Sequence, residues 1–213
     1  PQKSMRTQSP LRLFLKSAGV AILVVAAALN ARADNVLVDT GPGTSSGYLL
    51  GGQGSYNYSQ NLAAQFTLSQ DVTVTSLEGW IRTFNSDYVR ISVTDNSNGT
   101  TPGSEIWGGD LLLATDATDS WRGFTNVNLF LSAGTYWIAF VGSQTLNAAM
   151  GTSVPNPLGV EAYGSVGDGS WHQYDGLDIG VRIKGSSVPD SASVVGLLGL
   201  ALSALVVARR RLS

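Results

Sequence analysis

The chain has 213 residues, 43% of them apolar and only 13% charged, with 25 glycines, one histidine and no cysteine. That composition excludes collagen-like, coiled-coil and disulfide-framework proteins, thiol catalysis, Cys-ligated metals and multi-histidine metal sites. Eight of the thirteen basic residues lie before position 34 or at 209–211, so residues 34–187 keep five against fourteen acidic ones, a net charge of −9 that repels nucleic-acid phosphates and anionic lipid alike.

The first segment reads as a secretory signal. Basic residues up to Lys16 precede an uncharged apolar run at 18–29, and Ala31-Arg32-Ala33 supplies the small-x-small pattern of a signal-peptidase site. A helix of that run spans roughly 18 Å at ~1.5 Å per residue, too short for a ~30 Å hydrocarbon core. Residues 1–33 are therefore expected to be a signal peptide, 29 residues long counted from Met5, with cleavage between Ala33 and Asp34.

From Asp34 onward no apolar stretch follows a 3.6-residue period over three turns, whereas alternation with period 2 recurs. Residues 72–77 are rich in β-branched side chains. In 88–94, Val89, Ile91 and Val93 point one way. The run 134–141 is apolar on both faces and reads as a central strand. In 177–183, Leu177, Ile179, Val181 and Ile183 alternate with Asp178, Gly180 and Arg182. Further strands are expected at 36–39, 62–68, 110–115, 124–131 and 159–163, separated by turn clusters such as Asn98-Gly99, Pro102-Gly103 and Asn156-Pro157. Eight to ten short strands predict an all-β domain over 34–184, an antiparallel β-sandwich of jelly-roll type.

Three runs of this domain, Ala64-Gln65-Phe66-Thr67, 93–104 and 131–137, resemble bacterial surface β-sandwich modules of the choice-of-anchor type. The resemblance implies a fold and a surface location and assigns no catalytic residue.

Catalytic constellations are scarce. His172 is the one histidine, no G-x-S-x-G elbow or phosphate loop occurs, and Glu78, Glu105 and Glu161 read as solvated carboxylates at strand ends. No enzyme activity, cofactor or metal is therefore expected. The oxygen-rich turns 95–98 and 116–119 offer a minority reading as calcium ligands, but Asx turns account for them as well. A glycan surface is the more concrete candidate, because sugar rings stack on aromatic faces while polar groups fix their hydroxyls. The Gly-flanked loop 169–175 brings Trp171, His172, Tyr174 and Asp175 together, and a second Tyr-rich loop carries Tyr48, Tyr56 and Tyr58. The competing reading turns Trp171 and Tyr174 inward to plug one end of the sandwich. Trp80 and Trp137, within strands, read as core, while Trp107 and Trp121 stay open.

The last segment has three parts. Val188-Pro189-Asp190-Ser191 is followed by an uncharged apolar run at 192–208, the length of a minimal membrane-spanning helix, and then by Arg209, Arg210 and Arg211. The arginines hold the end of the chain on the cytoplasmic side and leave the domain outside, with 209–213 as a basic tail. This order resembles the PEP-CTERM class of bacterial sorting signals, and within it the VPDSG-CTERM subtype, with Ala192 standing where that subtype has glycine. The resemblance implies recognition by an exosortase, a membrane-embedded transpeptidase, a Gram-negative-type envelope and an association with exopolysaccharide. Residues 185–191 are expected to be a linker with the sorting motif, flexible at Gly185-Ser186-Ser187. The expected protein is thus exported, held at the inner membrane as an intermediate and then moved to the cell surface or extracellular matrix, where its domain binds polysaccharide without catalysis. The alternative is a secreted hydrolase acting on the same polymer.

Overall fold

A computed structural model describes residues 35–43, 47–52, 59–152, 158–165 and 169–188, together with Gly199. The chain forms two compact units, Asp34–Val188 and a second made of Pro1–Ala33 with Pro189–Ser213. Among the described residues no helix is long and apolar enough to cross a membrane. The expected signal peptide and terminal helix, with Ala31, Ala33, Asp34, Pro189, Asp190, Ser191, Arg209, Arg210 and Arg211, lie outside the described residues, as do Tyr56 and Tyr58.

The body is all-β. Its strands are β1 (Asn35–Asp39), β2 (Gly47–Gly52), β3 (Ser59–Leu68), β4 (Val72–Thr83), β5 (Asp87–Asp95), β6 (Glu105–Leu113), β7 (Asp116–Phe124), β8 (Leu129–Leu131), β9 (Gly134–Gly142), β10 (Ala148–Gly151), β11 (Glu161–Ser165), β12 (Trp171–Gln173) and β13 (Val181–Ser187). All pairings between them are antiparallel. Hydrogen bonding runs through one 13-stranded sheet in the order β1-β13-β4-β10-β2-β3-β9-β5-β6, with β7 and β8 on β4 and the β11–β12 pair on β3. The ladder is thus unbroken through β2, where two separate sheets were expected.

The core explains the pairing. Val72, Val74, Leu77 and Ile81 of β4 join Leu62, Phe66, Val89, Ile91, Val93, Ile138 and Phe140 from the other half of the sheet in one apolar cluster. The halves meet closely at Gly79 of β4, where an added methyl would lie 2.7 Å from the Phe140 ring and 2.9 Å from the Met150 methyl. A second, smaller cluster covers the other face of β9, joining Trp137 and Ala139 to Ala63 and Ala162. Two cores, one per face, account for a strand that is apolar on both sides. Trp137 is fully buried there, with its indole N–H donated to Asn96 Oδ1 at 2.9 Å, whereas Trp80, Trp107 and Trp121 are half-buried.

Three local expectations need correction. The four aliphatics of 177–183 are buried as the alternation predicted, but only Val181 onward is strand, because Asp178 adopts a left-handed backbone with φ of 49°. Residues 116–119, read as a turn, and 120–123, where no strand was expected, form β7 against β4, while the strand expected at 124–131 is divided between the end of β7 at Phe124 and β8. Gly185, Ser186 and Ser187, expected to be a flexible linker, complete β13 and pair with Val74, Thr73 and Val72. Beyond them the Val188 N–H donates to the Asp71 carbonyl at 3.0 Å. The first residue of the VPDS motif is therefore fastened to the sheet.

Candidate functional site

The segment 169–175 is a strand rather than a loop over its middle. β12 pairs with β11, placing Gly164 opposite Trp171, Tyr163 opposite His172 and Ala162 opposite Gln173. Because successive side chains alternate across a strand, this register separates residues that the sequence had grouped. Trp171 turns to the second core cluster, lying over Gly164, where a methyl would come within 3.1 Å of its ring. It behaves as the inward-folding alternative anticipated. His172 lies on the opposite face.

There an aromatic ridge forms. The His172 and Tyr163 rings lie 5.3 Å apart and tilted by 34°, Tyr174 stands edge-on to Tyr163 at 6.1 Å, and Tyr48 stands edge-on to Tyr174 at 6.3 Å. Tyr163 and Tyr174 are among the exposed large side chains of the body. On the ridge face Ser170 Oγ is 3.2 Å from His172 Nε2, whereas Gln173, whose Nε2 donates to Asp175 Oδ1 at 3.1 Å, alternates to the Trp171 face. The two tyrosine-bearing segments that the sequence offered separately thus meet through Tyr48. Tyr163 was missed, since a single tyrosine in Glu161-Ala162-Tyr163-Gly164 carries no signal without the pairing of β11 with β12.

One buried carboxylate holds the ridge in place. Glu161, in β11, is 1% exposed. Its Oε2 accepts the Asp178 N–H at 2.6 Å and its Oε1 the Ile179 N–H at 3.0 Å, while its main-chain carbonyl accepts the Tyr174 N–H at 2.9 Å. The segment from Tyr174 to Ile179 is pinned at both ends by one residue. Tyr48 adds a further tie, donating its hydroxyl to the Gly176 carbonyl at 3.2 Å. Burial pushes the Glu161 carboxyl above its ordinary value against the opposing pull of the Asp178 and Ile179 N–H groups. Burial and the neighbouring Tyr174 likewise raise the Tyr48 hydroxyl.

The expectation of solvated carboxylates therefore fails for two of three. Glu161 is buried and engaged by backbone, and Glu78 is 8% exposed with Lys184 Nζ 3.4 Å from its Oε2. Glu105 is at the surface, paired with Arg90 at 2.6 Å. The oxygen-rich turns are occupied by their own chain. Asp95 Oδ1 accepts from the Ser97 N–H, the Ser97 hydroxyl and the Ser104 N–H, and Asp116 accepts from the Thr118 N–H and pairs with Arg122. Among the described residues no three histidine, aspartate or glutamate side chains gather as a metal site. A cleft of about 490 Å³ opens between β1, β3 and residues 158–160, lined in part by Leu37, Phe66 and Leu158. Its acidic wall residue, Asp39, is taken up by Arg182 and by the Gly41 N–H.

The second functional element is the end of the body. The Ser187 pairing and the Val188 hydrogen bond bring the sheet to the first residue of the VPDS sequence. No curated protein matches the chain. The family model described as VPDSG-CTERM motif matches residues 187–212. That match supports a PEP-CTERM-type sorting signal at this end of the chain, and with it export, a cell-surface destination and processing by an exosortase-like enzyme.

Proposed function

We propose that this is a non-catalytic surface or matrix module, secreted through the 1–33 signal, held at the inner membrane by 192–208, and cut within Val188–Ser191 by an exosortase-like transpeptidase. Its folded body, a jelly-roll-like sandwich in this reading, then binds exopolysaccharide on the His172–Tyr163–Tyr174–Tyr48 ridge. The observation that carries the sorting half is the motif match from 187 to 212. The binding half rests on the exposed Tyr163, Tyr174 and His172 rings, which offer faces and edges for stacking against sugars, with the Ser170 hydroxyl and the His172 imidazole nitrogens beside them.

Retention of the protein on exopolysaccharide from its own cells tests this reading. Tyr163→Ala and Tyr174→Ala are expected to abolish retention while Trp171→Phe keeps it. Release of reducing ends from the polymer, stopped by a single carboxylate substitution, would instead establish the hydrolase alternative.

A further inference from the structure

The strand registers put the sorting motif at one end of the body and the aromatic ridge well away from it. In one half of the sheet, Ser187 of β13 pairs with Val72 at the start of β4, while Met150 of β10 pairs both with Ile81 near the end of β4 and with Tyr48. From Val72 to Ile81 the strand advances roughly 30 Å at ~3.3 Å per residue. In the other half, Leu68 of β3 pairs with Gly134, and Leu62 of the same strand pairs with Tyr163. That is roughly 20 Å along β3 at ~3.3 Å per residue, and Tyr174, tied to Glu161 opposite Ala64, stands roughly 13 Å along it. The Leu68 and Val72 ends are joined by the short connection through Asp71, whose carboxylate accepts the Ala133 N–H at 2.9 Å and whose carbonyl accepts the Val188 N–H at 3.0 Å. The start of the exported chain lies at this same end, because Asn35 pairs with Gly185. Two independent halves of the sheet thus agree on one direction.

We propose that the body works as an oriented module. While the chain is tethered, the end carrying Asn35, Asp71 and Val188 faces the membrane, and the His172–Tyr163–Tyr174–Tyr48 ridge faces outward to hydroxylated polymer. Three residues, 189–191, separate the sheet-bonded Val188 from the apolar run. Fully extended they reach only about 10 Å, at ~3.3–3.6 Å each, which is less than the length of the body and too little for it to turn over. The same geometry persists after processing: whatever group receives the new C-terminus is attached at the end away from the ridge. This inference rests on the tethered, sorted reading above.

The absence of cysteine in the chain makes the test direct, since one introduced thiol is unique. Ser132→Cys places it on an exposed residue at the Val188 end, and Asp175→Cys on an exposed residue at the ridge. Each full-length variant is reacted with a bulky polyethylene-glycol maleimide, once in native membrane vesicles with the body outward and once in detergent. The Ser132→Cys thiol is expected to react at least tenfold more slowly in membranes than in detergent, and the Asp175→Cys thiol at the same rate in both. Equal rates at both positions in a membrane-bound chain overturn the orientation while leaving the tether intact. Recovery of the unprocessed chain in the soluble fraction overturns the tether itself, and the orientation with it.

Discussion

Removing the Glu161 carboxylate is the sharpest perturbation of the body. In Glu161→Ala the Asp178 and Ile179 N–H groups lose the acceptors they now meet at 2.6 and 3.0 Å, and the Ile179 bond is buried. Hydrogen bonds to a charged group contribute about 1.5–3 kcal/mol each, and a buried donor left unsatisfied bears its full desolvation cost. Two such bonds, less the relief of no longer burying a charge, give an expected loss of about 3–5 kcal/mol. Glu161→Gln keeps one acceptor oxygen but turns an amide N–H toward the second donor, for an expected loss of about 1.5–3 kcal/mol. Burial holds this carboxyl above its ordinary value near 4.5, so the folded chain takes up its proton at higher pH than the unfolded chain does. The resulting contribution is fully present below the unfolded value and is lost as pH rises through the folded one. Asp87 has the opposite sign, lowered chiefly by the Thr145 hydroxyl, with its contribution lost as pH falls, but parent and variant share it. The stability gap between parent and Glu161→Gln is therefore expected to widen from pH 7.5 to pH 4.5, measured by urea unfolding. A Glu161→Ala variant within about 0.5 kcal/mol of the parent, the range of an ordinary surface change, would refute the assignment.

Other consequences follow from packing and turn geometry. Gly79→Ala puts a methyl against the Phe140 ring and the Met150 methyl, and is expected to cost about 1–3 kcal/mol by overpacking. Gly123→Ala is expected to cost more, because its methyl would overlap the Leu77 carbonyl oxygen and the backbone of β4 cannot yield as a side-chain tip can. Gly159→Ala, with open space around the new methyl, is expected to be neutral or to stabilise by up to about 1 kcal/mol; thermal melts of the three variants check the order. Asp95→Ala removes the acceptor shared by the Ser97 and Ser104 N–H groups, so amide exchange at those two positions is expected to accelerate while the Ile91 and Phe140 amides keep their protection.

The all-β body was legible where apolar and polar residues alternate, even though Ser92 and Thr94 of β5 are buried as well. β5 shows its alternation because Val89, Ile91 and Val93 enter the core while Tyr88 and Arg90 face out. β7 hid because its residues are half-buried or exposed with no fully apolar face, and its Asx residues imitate turn chemistry. β2 hid behind its glycines: Gly47 and Gly52 lie where any side chain would meet the backbone of 144 or 150, a demand set by neighbours about a hundred residues away. At 177–180 the alternation correctly gave the inward face and wrongly gave a strand, because a distant carboxylate, Glu161, supplies the acceptors that a neighbouring strand otherwise would. The ridge was half legible for the same reason. His172, Tyr174 and Asp175 are local in the chain, but Tyr163 and Tyr48 join them only through cross-strand register, and Trp171 leaves them only through strand alternation. The sorting motif needed no fold at all, being read as linear sequence.

Intact mass of the mature protein, recovered from the envelope or matrix of its own cells, reads both processed ends at once. The expected mass is that of a chain starting at Asp34 and ending between Val188 and Ser191, plus any group joined there. A mature protein that still carries residues 192–213, or one cut inside β13 before Val188, would contradict it.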